Sequence, residues 1–496
     1  MPELNRRDAM IHLGLGTAGL LWTPRAVAVS PLRADPEALA AAFRSAPRRQ
    51  VLEVAATAIR AGASHQHLLG AAFLAGVHDV RPRSVGGKLH CVMMIESAFQ
   101  LAATAPPREA FLAALWSIDD FKNSQRRDIN EREAEGEGDW VLPPRPVVDR
   151  MSEKQARRAF HAAMDAWDAE AADRAVVALL AHRDHAALFE LLWPYAARCY
   201  VDLGHKIIFA TQVERVIQRL GWQYAEPAVR SLVNGLLYRS DDISGSEPKA
   251  FERSRRLAAS AVGDWRRGKE DPAASAQLLA ELRSCDSAAA QRLVVDAFAD
   301  GLGPATVWDG LRLYASELFH RRPASAARRH APVHGVTEVN AFAYVWRTSR
   351  HPETQRLAIL QAAAWLPFMR RDLKGFLGDY EGPGLDALGN DEAERIPSVS
   401  EVFEQRSPAA ARVRLDREPS AATAYLAEMR RHLVQRAFQS HQFKYAAAIQ
   451  EEAALAHPRW ASRILAPAVT YLPTLADPDS AVLERSRHAL RSAEIG

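Results

Sequence analysis

The residues of this sequence best suited to chemistry are histidines at the starts of apolar, helix-like stretches, and one lysine. In SHQFKYAAAIQEEA (440–453), His441 and Lys444 stand three residues apart, so they share one face of a helix. Phe443, Tyr445 and three alanines surround the lysine. An imidazole is the commonest metal ligand. A lysine buried on an apolar face loses its proton more easily, because burial disfavours the charged form. The remaining candidates follow the same pattern. His65 and His67 lie in GASHQHLLGAAFLAG (62–76), His90 in GGKLHCVMMIESAF (86–99), and His205 with Lys206 in DLGHKIIFATQVERVI (202–217). His334 opens HGVTEVNAFAYVW (334–346). His65 and His67 point to nearly opposite sides of a helix, so only one of them faces inward. His182 and His185, in the more polar AHRDHAALF (181–189), rank lower as candidates. The bland reading of any one of these histidines is a satisfied core residue, and of Lys444 a side chain that snorkels to solvent.

Other chemistries lack local support. The sequence holds no HExxH, no two Glu-x-x-His motifs of the di-iron bundle kind, no GxSxG and no P-loop. The three cysteines, Cys91, Cys199 and Cys285, form no CxxC or CxxCH and are expected as buried thiols. Basic residues number 63 and acidic residues 60, a balance that argues against a dedicated nucleic-acid binder.

The elements that must position these residues are helical. Asp35-Pro36 caps DPEALAAAFRSA (35–46), and amphipathic patterns run through 152–167, 352–369 and 419–439. Alternating strand patterns and Asn-Gly turns are almost absent. The expectation is an all-α chain: a single large, irregular multi-helix domain of stacked helical pairs, without the fixed period of a repeat array. Three stretches interrupt the pattern, at 131–149, 240–249 and 373–400.

The first 28 residues read differently. Arg6-Arg7, a short apolar run and the small-residue site Ala26-Val27-Ala28 look like a twin-arginine export signal cleaved after Ala28, leaving 29–496 as the helical catalytic domain. The apolar run is short for a transmembrane helix, and no other stretch reads as a membrane span. The expected partner for export is the twin-arginine translocase, and the expected location is periplasmic or otherwise extracytoplasmic.

Four patches, in matching order, resemble the motifs of the questin oxidase-like family. They are HLLGAAFLAG (67–76), HCVMMIE (90–96), HGVTEVNAF (334–342) and HQFKYAAA (441–448). The second lacks the family's upstream histidine and proline, and the third carries Glu338 where a small residue is usual. The resemblance implies an all-helical oxygenase without haem or a flavin domain, acting on an aromatic or quinone-like small molecule. It also implies a mononuclear non-haem iron, or another divalent metal, held by histidines and a carbamylated lysine. Carried onto this sequence, the ligands would be His67, His90, His334 and His441 with Lys444 as carbamate, and His205 in reserve. The competing expectations are a non-enzymatic helical scaffold or binding protein of the periplasm, and a metal-dependent hydrolase using the same ligands.

Overall fold

Helices account for nearly all regular structure in the computed structural model, which describes residues 35–82, 89–136, 140–238, 246–322, 330–377, 384–388 and 395–495. Among the described residues there is no strand, only an isolated bridge between Lys269 and Leu302. The chain is all-α, as its periodicity predicts. Helices adjacent in sequence often pack on each other, as Glu153–Asp165 does on Ala169–Leu180 and Val333–Thr348 on Pro352–Leu377. Of the three interruptions, 131–149 begins as the end of the Pro107–Ala134 helix, and its described residues from 140 on have no regular structure. Only parts of the other two are described, including a short 3₁₀ turn at Leu385–Ala387. The expected export signal at 1–28 lies outside the described residues. No described helix is long and apolar enough to cross a membrane. All three cysteines are free; Cys91 and Cys199 are buried and Cys285 half-buried.

The centre of the fold is a ring of four packed segments. The Val201–Leu220 helix packs on Val333–Thr348, which packs on Ser440–Leu455. That helix packs on Ile95–Ala102, which returns to Val201–Leu220. The short helix His90–Met93 precedes Ile95–Ala102 and touches both of its neighbours in the ring. The three long helices run parallel. Arg215 comes ten residues after His205 and Glu451 ten after His441, a rise of about 15 Å in each helix. The pairs meet at both levels: imidazoles at the top and the Arg215–Glu451 ion pair (2.8 Å) at the bottom.

Because all three helices run the same way, their side chains fall into layers. The histidines occupy the first turns. One to two turns below, Ser97, Gln100, Gln212, Thr337, Asn340 and Lys444 line a cavity of about 10 Å³, the lower limit for one water-sized molecule. Below that lies a buried ion-pair layer. Glu451 binds Arg215 and Arg347 (2.8 and 2.6 Å), and Asn340 donates to both Glu451 and Glu452 (3.0 and 2.6 Å). Glu452 receives Arg312 (2.6 Å) from the Pro304–His320 helix, and Glu96 takes a two-pronged bond from Arg219 (2.6 and 2.7 Å).

One backbone position explains how His205 is aimed. Leu203 and Gly204 both have positive φ (59° and 76°) immediately before it. A Cβ on Gly204 would fall 1.7 Å from the Glu338 carboxylate. Only glycine meets both conditions, the left-handed backbone and the close approach. Glu338, the unusual residue of the third patch, is thus matched by a glycine across the helix interface.

Two stability predictions follow from these contacts. Glu451→Ala leaves the buried Arg215 without its carboxylate and takes the partner from the exposed Arg347, and is expected to cost about 3–5 kcal/mol in denaturant titration. Burial alone raises the Glu451 carboxyl, but Arg215 and Arg347 outweigh it and hold the group well below the usual carboxylate range. The group therefore contributes stability that is full above the unfolded value of roughly 4.3 and is lost as pH falls below it. Acid unfolding of the wild type is expected to steepen in that window, and the steepening to disappear in Glu451→Gln.

Candidate metal centre

Four imidazoles meet at the top of the ring. His90 Nε2 lies 2.7 Å from His441 Nε2 and 3.1 Å from His205 Nε2, and His205 Nε2 lies 2.9 Å from His334 Nε2. One ligand atom from each of the four lies within 4.8 Å of every other. All four side chains are buried.

Local sequence explains the convergence. His90 is the first residue of its helix, His334 and His441 the second of theirs, and His205 follows the turn at Leu203-Gly204. Each stands at or near a helix N-terminus, where the chain enters the core. His334 is fixed further, since its Nδ1 lies 3.1 Å from the Ala331 carbonyl. A proton held on Nδ1 by that carbonyl leaves the Nε2 lone pair facing the other three rings.

The group fits a cation better than it fits itself. An imidazole nitrogen offers one in-plane site, either a proton or a lone pair. His90 Nε2 and His205 Nε2 each face two other nitrogens, more than one such site serves well. A divalent ion holds imidazole nitrogens at roughly 2.0–2.1 Å, which places neighbouring ligands at right angles about 3 Å apart. The observed separations cluster around that value. Burial, then the Lys444 charge, holds His334 well below the ordinary histidine range. His441 is lowered likewise, by burial, then by His90 and Lys444. Neutral imidazoles are the ligand form.

Of the sequence candidates, the structure brings His90, His334 and His441 together with the reserve residue His205. His67 is not a member of the group. It is the third residue of the His65–Asp79 helix and closes a capping box with Ser64. Ser64 N donates to His67 Nδ1 (2.8 Å) and His67 N donates to Ser64 Oγ (3.3 Å). Its ring nitrogen is used to cap the helix, which is the physical reason that it stands apart. Lys206 is also elsewhere, donating to the carbonyls of Leu236 and Tyr238 (3.1 and 2.8 Å). Asn340 and Glu96 serve the ion-pair layer rather than a histidine.

Lys444 lies one turn below His441, buried, and its Nζ has no hydrogen-bond partner. Burial lowers its pKa to about 7, opposed by the charge of Asp120. Asp120 itself is raised to about 7 by burial and then by Asp119. Asp120 also lines an open cavity of about 260 Å³ beside the start of the His441 helix, walled in part by Trp116 and Phe438. Phe438 is half-exposed, and Trp116 packs on Phe443 with ring centres 4.7 Å apart. From the other direction, the exposed His330 stacks on His441 (4.3 Å).

The sequence reading missed His330 and Asp120. His330 precedes the helical pattern that begins at 333, and Asp120 falls inside a long amphipathic helix where an acid reads as surface. No family model, curated protein or solved structure matches the chain.

In metal titrations followed by calorimetry, alanine at His90, His205, His334 or His441 is expected to abolish tight one-to-one binding of a divalent ion such as Co(II). His67→Ala is expected to keep binding intact while costing about 1 kcal/mol of stability through the lost cap.

Proposed function

We propose that this protein is a metal-dependent oxidoreductase of the questin oxidase-like type, a non-haem iron oxygenase acting on an aromatic or quinone-like small molecule. The observation that carries the proposal is the buried group of four Nε2 atoms with an unpartnered lysine one turn below. His90, His205, His334 and His441 would hold the ion. Histidine nitrogens with a carboxylate-type oxygen suit Fe(II), among other divalent ions. Lys444 fits the oxygen-donor role as its carbamate. The lone pair of the neutral amine attacks carbon dioxide, a nitrogen–carbon bond forms as one carbon–oxygen π pair moves onto oxygen, and one proton is released from the nitrogen to water. The buried, hydrogen-bond-free setting of Nζ favours the neutral amine that this step needs. When bound, iron supplies electrons and an open position for dioxygen chemistry beside an organic molecule.

The chain's own residues give the rest of the reading. Trp116 and Phe438 offer aromatic faces to a flat molecule in the cavity at the start of the His441 helix. Burial of the histidine layer excludes bulk water. Export by the twin-arginine route, which carries folded proteins, accords with a centre whose ligands come together only in the folded chain.

Metal analysis by plasma mass spectrometry on gently purified protein tests the proposal, with His441→Ala and Lys444→Ala alongside. The expected result is near-stoichiometric iron, lost in His441→Ala and weakened at least tenfold in Lys444→Ala, about 1.4 kcal/mol. A carbamate carbon should appear in ¹³C spectra after labelling with ¹³C-bicarbonate, and be absent in Lys444→Ala. Zinc with no dioxygen uptake would redirect the reading to hydrolysis, and a protein without metal would leave a helical scaffold.

A further inference from the structure

A second cavity, of about 340 Å³, lies on the outer side of the Val201–Leu220 helix, well down from His205. His185, Phe189, Glu214, Ile217, Gln218, Gly221 and Trp222 line it. Its volume is at the lower end of the range of small-molecule pockets. One of its walls is a stacked pair: His185 and Trp222 lie with ring centres 3.6 Å apart and planes 14° from parallel. Phe189 adds a third aromatic surface.

The polar group is a single acid. Glu214 is 9 % exposed, and its Oε2 is buried without a hydrogen-bond partner. A buried unpaired acceptor of this kind destabilises the fold unless something donates to it. The groups around it do not neutralise it. Arg215, the next residue on its own helix, is committed to Glu451 (2.8 Å) and lies over the Tyr344 ring (4.0 Å). Gln218 is uncharged. From the His185–Ala197 helix, Glu190 adds a second negative charge, its oxygens accepting from Ser349 Oγ and Arg350 N (3.0 and 2.7 Å). His185 is held below its ordinary pKa by burial, and Tyr344 on the Val333–Thr348 helix is held well above its own. Burial, and the Glu190 charge after it, bring the Glu214 carboxyl up to about 7, against the hydrogen bonds of Tyr344 and Gln218 and the Arg215 charge, which lower it.

We propose that this cavity is a binding site for an organic ammonium ion, with Glu214 receiving the N–H group and the Trp222–His185 stack and Phe189 enclosing the apolar body. A cation satisfies the unpartnered carboxylate oxygen and sits favourably against aromatic faces. A neutral donor can bond to the oxygen but brings no charge to it or to the aromatic faces, and an anionic ligand does neither. The site is separate from the four histidines and does not depend on what metal they hold.

The test is calorimetry on the full-length protein as purified, with benzylammonium, benzyl alcohol and benzoate as probes. The expected result is saturable binding of benzylammonium, at least about tenfold tighter than benzyl alcohol, and no binding of benzoate. Glu214→Gln and Trp222→Ala are each expected to weaken benzylammonium about tenfold without changing metal content. Trp222 is half-buried, so its variant keeps the question answerable even where Glu214→Gln fails to fold. No saturable binding up to about 10 mM, equal binding of benzyl alcohol, or full affinity in Trp222→Ala would overturn the proposal.

Discussion

Parallel helices held side by side are the constraint on which this structure depends. Each helix carries about half a positive charge at its N-terminus, and aligned neighbours repel end to end. Here the long helices starting at Val201, Val333 and Ser440 present their N-termini together, with His90–Met93 beside them. Such an end favours neutral imidazole over imidazolium and attracts negative charge. That is the electrostatic setting in which a lysine is better tolerated as an amine than as an ammonium ion. At the other end, the ion-pair layer of Glu451, Glu452, Arg215, Arg347 and Arg312 fixes which helix stands against which. Buried ion pairs often contribute little net stability against apolar packing. Their value here lies in register: Glu451 meets Arg215 only where His441 also meets the other imidazoles.

Gly204 and Glu338 are part of the same constraint. The turn at Leu203-Gly204 brings His205 in at the level of the other three rings, and the Glu338 carboxylate fills the space that any larger residue at 204 would need. The positions of ring and turn are therefore set by backbone conformation and by a contact between helices, not by the histidine itself.

How much of this was legible in the sequence depended on the kind of signal. Helical periodicity and caps such as Asp35-Pro36 are local, so the all-α class could be read directly. His90, His334 and His441 stood out because each opens an apolar stretch. His67 has the same appearance, and only its partner distinguishes it: Ser64 three residues earlier is a capping-box spacing, a signal present in the sequence. His205 was obscured by Lys206, whose adjacency invited a comparison with the His441–Lys444 spacing, while the turn that aims His205 depends on Glu338, far along the chain. Which helices are neighbours in the ring is set by long-range packing that no local pattern records. Neither the partner of Glu451 nor the stacking of His185 on Trp222 could be found before the helices were placed.

The spread of the four histidines has a consequence for the life history of the protein. His90 and His441 touch across 351 residues of chain. Contacts this distant in sequence close late, after the intervening loop entropy has been overcome. A growing chain leaving the ribosome holds one, two or three of the imidazoles for most of its synthesis, and the fourth arrives only near the end. Capture of an ion in the finished geometry would then be a report on completion. A chain truncated before residue 440 lacks the His441 helix and with it both the last imidazole and the lysine below it, so an ion held by all four imidazoles would distinguish finished molecules from abortive ones.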